Sequence, residues 1–434
     1  MAEPQRRPAS LKPLTAFVTD GDQRPALAIT RSLGRRGISV VVGAEQSASL
    51  ASASRYCLRH VTYPSPVAHP DAFEQFLLEF VERESIDVVV PVTDVTTHLV
   101  ANNASALSRV TATAVPPFEA FESVSDKASL VGRALQCGVP VPRTHIVENR
   151  SALTAVLDQI EYPAVIKPSR SRIRTKAGWL GASVQYAYDR DALLRLYRDV
   201  EYLGRYPSLI QERIVGPGVG VFVLCERGEL RTAFAHRRLR EKPPSGGASV
   251  LCESIALDPV LLDHAMRLLG PLGWHGVAMM EFKQDQRTGQ SFLMEVNGRF
   301  WGSLQLAIDA GVDFPYLSCQ LALGETIGAP LDYKIGVKSR WLLGDLDHLI
   351  IRLVQNEGDQ NLPEGAPSRI RTLARFLQPI SPGLRYDVIS AGDPHPFVHE
   401  AMQYARHWSG SATRRARRFL ARAPHAAAHV TAVK

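Results

Sequence analysis

The sequence predicts a mixed α/β chain. A doubly wound parallel-sheet domain comes first, a region of α+β character follows, and a C-terminal extension ends it. Three observations carry this reading. Residues 14–42 read strand, turn, helix, strand: "LTAFVTD" is an apolar run ending in polar groups, "GDQRPALAITRSLGRRG" is a turn and a helix stopped by Gly, and "ISVVVG" is the next strand. "AFEQFLLEFVERES" is then an amphipathic helix leading into the buried strand "IDVVVPVTD", which carries the alternation to about residue 110. Further on, "SLIQERIVGPGVGVFVLCERGELRTAFAHRRLR" reads as strands split by Gly-rich turns, a different style of sheet. The turn at Gly21 lacks the GxGxxG spacing, so no dinucleotide fingerprint is read there.

The bulk numbers bound the remainder. A chain of 434 residues is too long for one ordinary core, so two to four domains or subdomains are expected. Its 45% hydrophobic and 21% charged residues suit a globular protein, and no apolar run reaches the length of a membrane-spanning helix. The opening "MAEPQRRPASLKPLTAFV" reads as a disordered lead-in, not a signal peptide. Five scattered cysteines without CxxC spacing argue against structural zinc and a disulfide framework, and point to a cytoplasmic protein. The net charge of +7 belongs to one place: residues 406–434 hold six Arg, one Lys and no acid, so the rest of the chain is neutral overall. No nucleic-acid partner is expected from the body. "ATRRARRFLARA" offers a weak contact to anionic membrane or to a partner, against the plainer reading of a solvated tail.

The elements continue in order. "AVPPFEAFESV" marks a boundary, and "SVSDKASLVGRALQCGVPVP" is a helix with Ser125 as its expected N-cap and a Gly-Val-Pro stop. "YPAVIKPS" is a short buried strand, "RSRIRTKAGWLGASVQYA" a basic loop running into a strand, and "DALLRLYRDVEYLG" a helix. A helix near 258–270 precedes "GVAMMEFKQDQRTGQSFLMEVN", a hairpin, and "SLQLAIDAGVDFPYLSCQLALGE" is one long helical stretch. Residues 330–410 are less legible.

The hairpin carries chemistry. Strand alternation puts Leu293, Glu295 and Asn297 on one face, and Met279, Glu281 and Lys283 on one face of its partner. With "DQRTGQ" as the turn, Glu281 falls opposite Glu295 or one position away. Two carboxylates about 5 Å apart repel each other, and a cation between them relieves this. Two carboxylates and an amide oxygen, with positions left for water and phosphate, suit Mg²⁺. The competing reading leaves one Glu solvated and has Asn297 merely end the strand. Lys167, at the end of the buried run "PAVIKP", needs a partner, and Lys127, in the first turn of a helix, sits where the macrodipole disfavours a cation. An anion relieves both.

At this point the chain resembles the ATP-grasp superfamily, especially its carboxylate–amine-ligase and carbamoyl-phosphate-synthase-like members. The resemblance spans roughly residues 14–325 and rests on "SDKASL", "PAVIKPS", "LIQERIVGPGVGVF", "EFKQD" and above all "LMEVNGRFWGSLQLAIDAGVDFP". It implies a pre-ATP-grasp domain over 14–115 after a disordered lead (1–13), a small subdomain over 116–190, a large one over 191–328, an extension over 329–409 and a basic tail over 410–434. It implies ATP with Mg²⁺, or Mn²⁺, as cofactors, and small-molecule carboxylate and amine substrates, in a monomer or homodimer. By matching motifs, Lys127 and Lys167 contact ATP phosphates, with Lys176 from the basic loop. Gln211, Glu212, Arg213 and Ile214 form the hinge against adenine. Glu281, Glu295 and Asn297 hold the metal, and Arg299 meets the γ-phosphate or an acyl phosphate. On the acceptor side, Arg237, Arg238 and the backbone of Gly246–Gly247 offer a nest for an acyl-phosphate oxygen, against a solvated strand edge.

The implied activity is ATP-dependent carboxylate–amine ligation through an acyl phosphate. The alternatives are a carbamoyl-phosphate- or carboxyphosphate-forming enzyme, and a nucleotide-binding regulator or nucleic-acid-binding protein using the Arg-rich tail. Two departures from the family pattern stand out. The usual ribose-binding acid is replaced by Val219, and the phosphate loop, "SRSRIRTKAGWLGAS", carries four cations and only Gly178 and Gly181.

Overall fold

In the N-terminal sheet, alternate residues of each strand face different cores, which fixes where the helices lie. Strands β1 (Thr15–Val18), β2 (Ser39–Ala44), β3 (Cys57–Thr62) and β4 (Val88–Val90) pair in parallel in the order β3-β2-β1-β4. Ala16, Val18, Val40 and Val42 join one cluster with α1 (Arg24–Arg35), while Phe17, Val41 and Val89 join another with α2 (Pro70–Arg83) and α3 (Asp94–Asn102). The sheet is therefore covered on both faces, as strands apolar on both sides require. A one-turn helix, α4 (Ala104–Leu107), follows. This computed structural model describes residues 13–176, 178–328, 332–355, 362, 366–378 and 383–421, with side chains to 408. All but Pro13 of the expected lead-in, and the basic tail beyond 421, lie outside the described residues.

Helices α5 (Phe118–Ser125) and α6 (Lys127–Gln136) cross to the second region. Ser125 does not cap α6: it ends α5, and the Asp126 carboxylate accepts from the N–H groups of Ala128 and Ser129. A four-stranded sheet, order β5-β10-β6-β9, is built from β5 (Thr144–Val147), β6 (Ala164–Pro168), β9 (Gln185–Ala187) and β10 (Ser208–Glu212). It spans the cut expected at residue 190. The "basic loop" is instead a hairpin of β7 (Arg172–Thr175) and β8 (Gly178–Gly181), and the helix after it divides at Val200 into α7 (Arg190–Asp199) and α8 (Glu201–Arg205).

The large sheet has the order β15-β14-β11-β12-β13-β16-β17. Its strands are β11 (Gly218–Glu226), β12 (Glu229–Lys242), β13 (Ala248–Ser254), β14 (Gly276–Gln284), β15 (Ser291–Asn297), β16 (Lys338–Arg340) and β17 (Leu384–Tyr386). All pair antiparallel except β16 with β17. Helix α9 (Pro259–Leu269) covers one face, with Trp274 and Val221, Val223 and Met280 buried beneath it. The other face meets α10 (Leu304–Ala310) and α11 (Phe314–Ala322). These two are not one long helix, because Gly311 takes φ 114°, a left-handed conformation that stops α10.

The segment after residue 329 is structurally integrated. It supplies β16 and β17, α12 (Leu342–Val354), α13 (Arg369–Phe376) and α14 (His395–Ala421). Buried Arg31 of α1 donates to the Asp393 carboxylate at 2.8 Å and to the Val388 and Asp393 carbonyls.

Candidate active site

The site is built on the β14–β15 hairpin, where Glu281 stands opposite Glu295. The pairing is not a simple alternation. Register shifts between Glu281 and Phe282, so Phe282 faces Leu293 and Met294 is the extra residue of a bulge. Leu293 is accordingly buried with Val296 and Phe282, and does not share the Glu295 face as strict alternation predicts. Met294 turns towards β6, where the Lys167 ammonium lies 3.9 Å from its sulfur.

The two carboxylates are electrostatically unlike. Burial pushes Glu281 up, with Arg238 opposing and the neighbouring Glu295 adding to the rise. Burial acts in the same direction on Glu295, but Lys127, the Asn297 amide and Lys167 outweigh it and hold that carboxyl below its usual range. The Asn297 amide donates to Glu295 at 3.0 Å, and the Asn297 oxygen accepts from Arg299 at 2.9 Å. An amide oxygen has two lone pairs, so one remains for a metal. Among the described residues no cluster of three or more His, Cys, Asp or Glu side chains is placed to hold a metal. Two carboxylates and an amide fit a Mg²⁺ that keeps water and phosphate ligands.

Cations surround this pair. Lys167 is lowered to about 8 by burial, which the charges of Glu295 and Glu281 only partly offset. Lys127 is buried at the start of α6 and donates to the Ser171 hydroxyl at 3.0 Å. The Arg299 guanidinium is fixed on three sides: Asp94 at 3.1 Å, the Phe300 carbonyl at 2.9 Å and Asn297. Gly298 is glycine for room, because a Cβ there would lie 2.8 Å from Trp274 and 2.9 Å from Phe121. Trp301 packs in the core against Phe222 and Phe314, not against an open pocket.

Not every expected residue arrives here. Arg237 is half exposed and pairs with Glu253 at 2.7 Å, whereas Arg238 reaches Glu281 and also pairs with Glu241 at 2.9 Å. The reason is pleat phase: Gly220 lies opposite both His236 and Glu281, so His236 and Arg238 share the Glu281 face and Arg237 points away. Lys283, which strand alternation puts on the Glu281 face without giving it a role, lies two residues from Glu281, and burial lowers it. Lys176 is exposed in the β7–β8 turn, with no ion pair among the described residues.

The hinge residues lie at the end of β10. Gln211 is buried; its amide donates to Thr144 at 2.9 Å and its oxygen lacks a donor among the described residues. The Glu212 carboxylate accepts from the Arg143 backbone at 2.8 Å, the Arg213 guanidinium stacks 5.9 Å over Tyr186, and Ile214 is buried. Val219 packs against the apolar cluster under α9.

Hairpin β7–β8 reaches from this site to the N-terminal domain. The Trp179 backbone N–H donates to the Val67 carbonyl at 2.9 Å, and its ring stands edge-on to His98 at 4.9 Å. His98 pairs with Glu122 at 3.0 Å, and Glu122 with Arg170 at 2.7 Å. A cavity of about 490 Å³ here is lined by Lys127, Glu295, Asn297, Arg299 and Trp179.

The chain is similar to known proteins. A family described as "ATP-grasp in the biosynthetic pathway with Ter operon" matches residues 205–343. The carbamoyl phosphate synthase large chain of Paenarthrobacter aurescens (strain TC1) is 22% identical over 320 residues, covering 68% of this chain and 27% of that protein. The chain thus spans about a quarter of the length of the curated relatives it matches. In fold it is similar to the L-amino acid ligase of Bacillus licheniformis (TM-score 0.57, 19% identity, 72% of this chain and 75% of that one). It is also similar to biotin carboxylase of Campylobacter jejuni in complex with β,γ-ATP (TM-score 0.61, 17% identity, 74% of each chain).

Proposed function

The chain belongs to the ATP-grasp superfamily, and from that premise we propose that it is a Mg-ATP-dependent carboxylate–amine ligase. The observation that carries the reading is the facing pair Glu281–Glu295, with Asn297 beside it and Lys127 and Lys167 directed at the same space. Glu281, Glu295 and Asn297 hold Mg²⁺, which when bound neutralises phosphate charge and orients the γ-phosphoryl group. Lys127 and Lys167 bind phosphate oxygens, and residues 211–214 border the base.

A carboxylate oxygen of the first substrate attacks the γ-phosphorus, the bond to the β-phosphate oxygen breaks, and ADP and an acyl phosphate form. Arg299, held in orientation by Asp94, Asn297 and the Phe300 carbonyl, meets the transferring phosphoryl group without reorganising, which is the main catalytic need of such a step. Arg238 opposes the burial that raises Glu281, and so favours the ionised form that serves as a ligand. An amine then attacks the acyl carbon and phosphate leaves.

The curated relatives favour a second reading in which the acid is bicarbonate and the intermediate carboxyphosphate. ADP release measured over acid and amine pairs, with a bicarbonate arm, tests both readings. Dependence on an organic acid and an amine supports ligation, and dependence on bicarbonate the second reading. ADP release by Glu295→Gln equal to that of the parent would sink the assigned site.

A further inference from the structure

Helix α13 turns an apolar side away from the protein. Its inner face is fixed by two residues. Thr372 is buried and donates to the Ser368 carbonyl at 3.0 Å. The Phe376 ring lies 4.5 Å from the Arg340 guanidinium, and its carbonyl accepts from that group at 2.9 Å. Ile370, Leu373 and Leu377 follow the three-and-four spacing of another face. All three are exposed, Ile370 at 82% and Leu377 at 65%. The end of α12, tied to α13 by Arg369 donating to the Gln355 carbonyl at 2.9 Å, adds exposed Leu353 and Val354. Five large aliphatic side chains left in water on two joined helices mark an interaction surface.

The charge beside this surface has one sign. Arg371 and Arg375 lie one turn apart on α13, are exposed, and have no carboxylate partner among the described residues. Residues 365–386 hold four Arg and no acid, and residues 401–434 hold six Arg, one Lys and no acid. Against a net charge of +7 for the chain, these +11 leave −4 for the rest. The positive charge is thus confined to the segment that bears the apolar face.

These facts choose among occupants. The basic tail of this chain would meet like charge. A second copy across a twofold axis sets the same patch on itself, arginine against arginine. A partner peptide helix is held in a groove, whereas Ile370, with four-fifths of its surface in water, stands clear of its neighbours and forms no pocket. A bilayer interface needs no pocket. It accepts protruding aliphatic side chains at the acyl boundary and gathers arginines at anionic headgroups.

We propose that the C-terminal extension docks this protein on an anionic lipid surface. Ile370, Leu373 and Leu377 enter the interface, and Arg371 and Arg375 meet lipid phosphates. The inference stands apart from the ligase reading and adds a place for the reaction, at a membrane surface.

The test is flotation of the full chain with vesicles of phosphatidylcholine alone, or of phosphatidylcholine and phosphatidylglycerol in equal parts, at low salt. The parent should bind the mixed vesicles about tenfold more strongly than the neutral ones. Arg371→Ala with Arg375→Ala should weaken that binding about 25-fold, about fivefold for each cation. Ile370→Ser with Leu377→Ser should weaken it about tenfold, with the thermal midpoint unchanged because both side chains are exposed. Equal binding to both vesicles, or binding to neither, would overturn the proposal. So would parent-like binding by the serine variant, which would leave the basic tail as the contact. Self-association of the parent in sedimentation, lost in the serine variant, would make the occupant a second copy and overturn it as well.

Discussion

At Lys167 burial works against the charge that phosphate requires. Its pKa is lowered from 10.5 to about 8, so the free protein loses this proton as pH rises through 8. Mg-ATP affinity should therefore hold up to about pH 7.5 and then fall, by at most about tenfold per pH unit, and Lys167→Arg should flatten the profile. Calorimetric titration across that range reads this directly. The same shift means that stability rises between pH 8 and 10.5, where the unfolded chain keeps a proton that the folded chain has lost. Arg238 makes a second prediction. Arg238→Ala strands Glu281 beside Glu295, costing about 3 kcal/mol in urea unfolding and at least a hundredfold in ADP release, whereas Arg237→Ala should leave both nearly unchanged. From the sequence alone Arg237 is the arginine expected at the site, with Arg238 only beside it. Which one faces the metal pair depends on Gly220 standing opposite Glu281, a register that no local pattern encodes.

At the scale of elements, the β14–β15 hairpin was legible and its irregularity was not. Periodicity located β14 and β15 and their facing carboxylates, yet the bulge at Met294 came from a tertiary demand: Leu293 enters the core while Glu295 stays at the site. The stretch after Lys167 read as a loop because its arginines hide the pairing of β7 with β8, which is completed by docking on Val67 and His98. That docking predicts a lid whose closure the Trp179 ring strengthens, beside the backbone bond to Val67 and the Arg174–Asp71 pair. Trp179→Ala should speed tryptic cleavage after Arg174 and Lys176 several-fold and raise the KM for ATP, with little change in global unfolding. Cleavage at the parent rate would mean that Trp179 does not hold the hairpin.

Across the whole molecule, the N-terminal domain and the C-terminal segment are bound by polar contacts between residues far apart in sequence. Residues 330–410 resisted reading for that reason: Arg31 and Asp393 are 362 positions apart, and nothing near either announces the other. Because both side chains are almost fully buried, Asp393→Ala should cost about 3 kcal/mol or more in urea unfolding and lower the yield of folded protein. Both ends of the chain also line a cleft beside Arg299, Asp20 and Arg24 from one and Trp341 and Glu400 from the other. The central claim is that a carboxylate oxygen attacks the γ-phosphate held at Glu281, Glu295 and Arg299. Its most direct test is oxygen transfer: the protein is supplied with Mg-ATP, a pool of ¹⁸O-labelled small carboxylates and hydroxylamine as acceptor, and released phosphate is examined by ³¹P NMR. The account predicts phosphate carrying one ¹⁸O from the acid, and none with Glu295→Gln; phosphate carrying only solvent oxygen, or no phosphate from the parent chain, would contradict it.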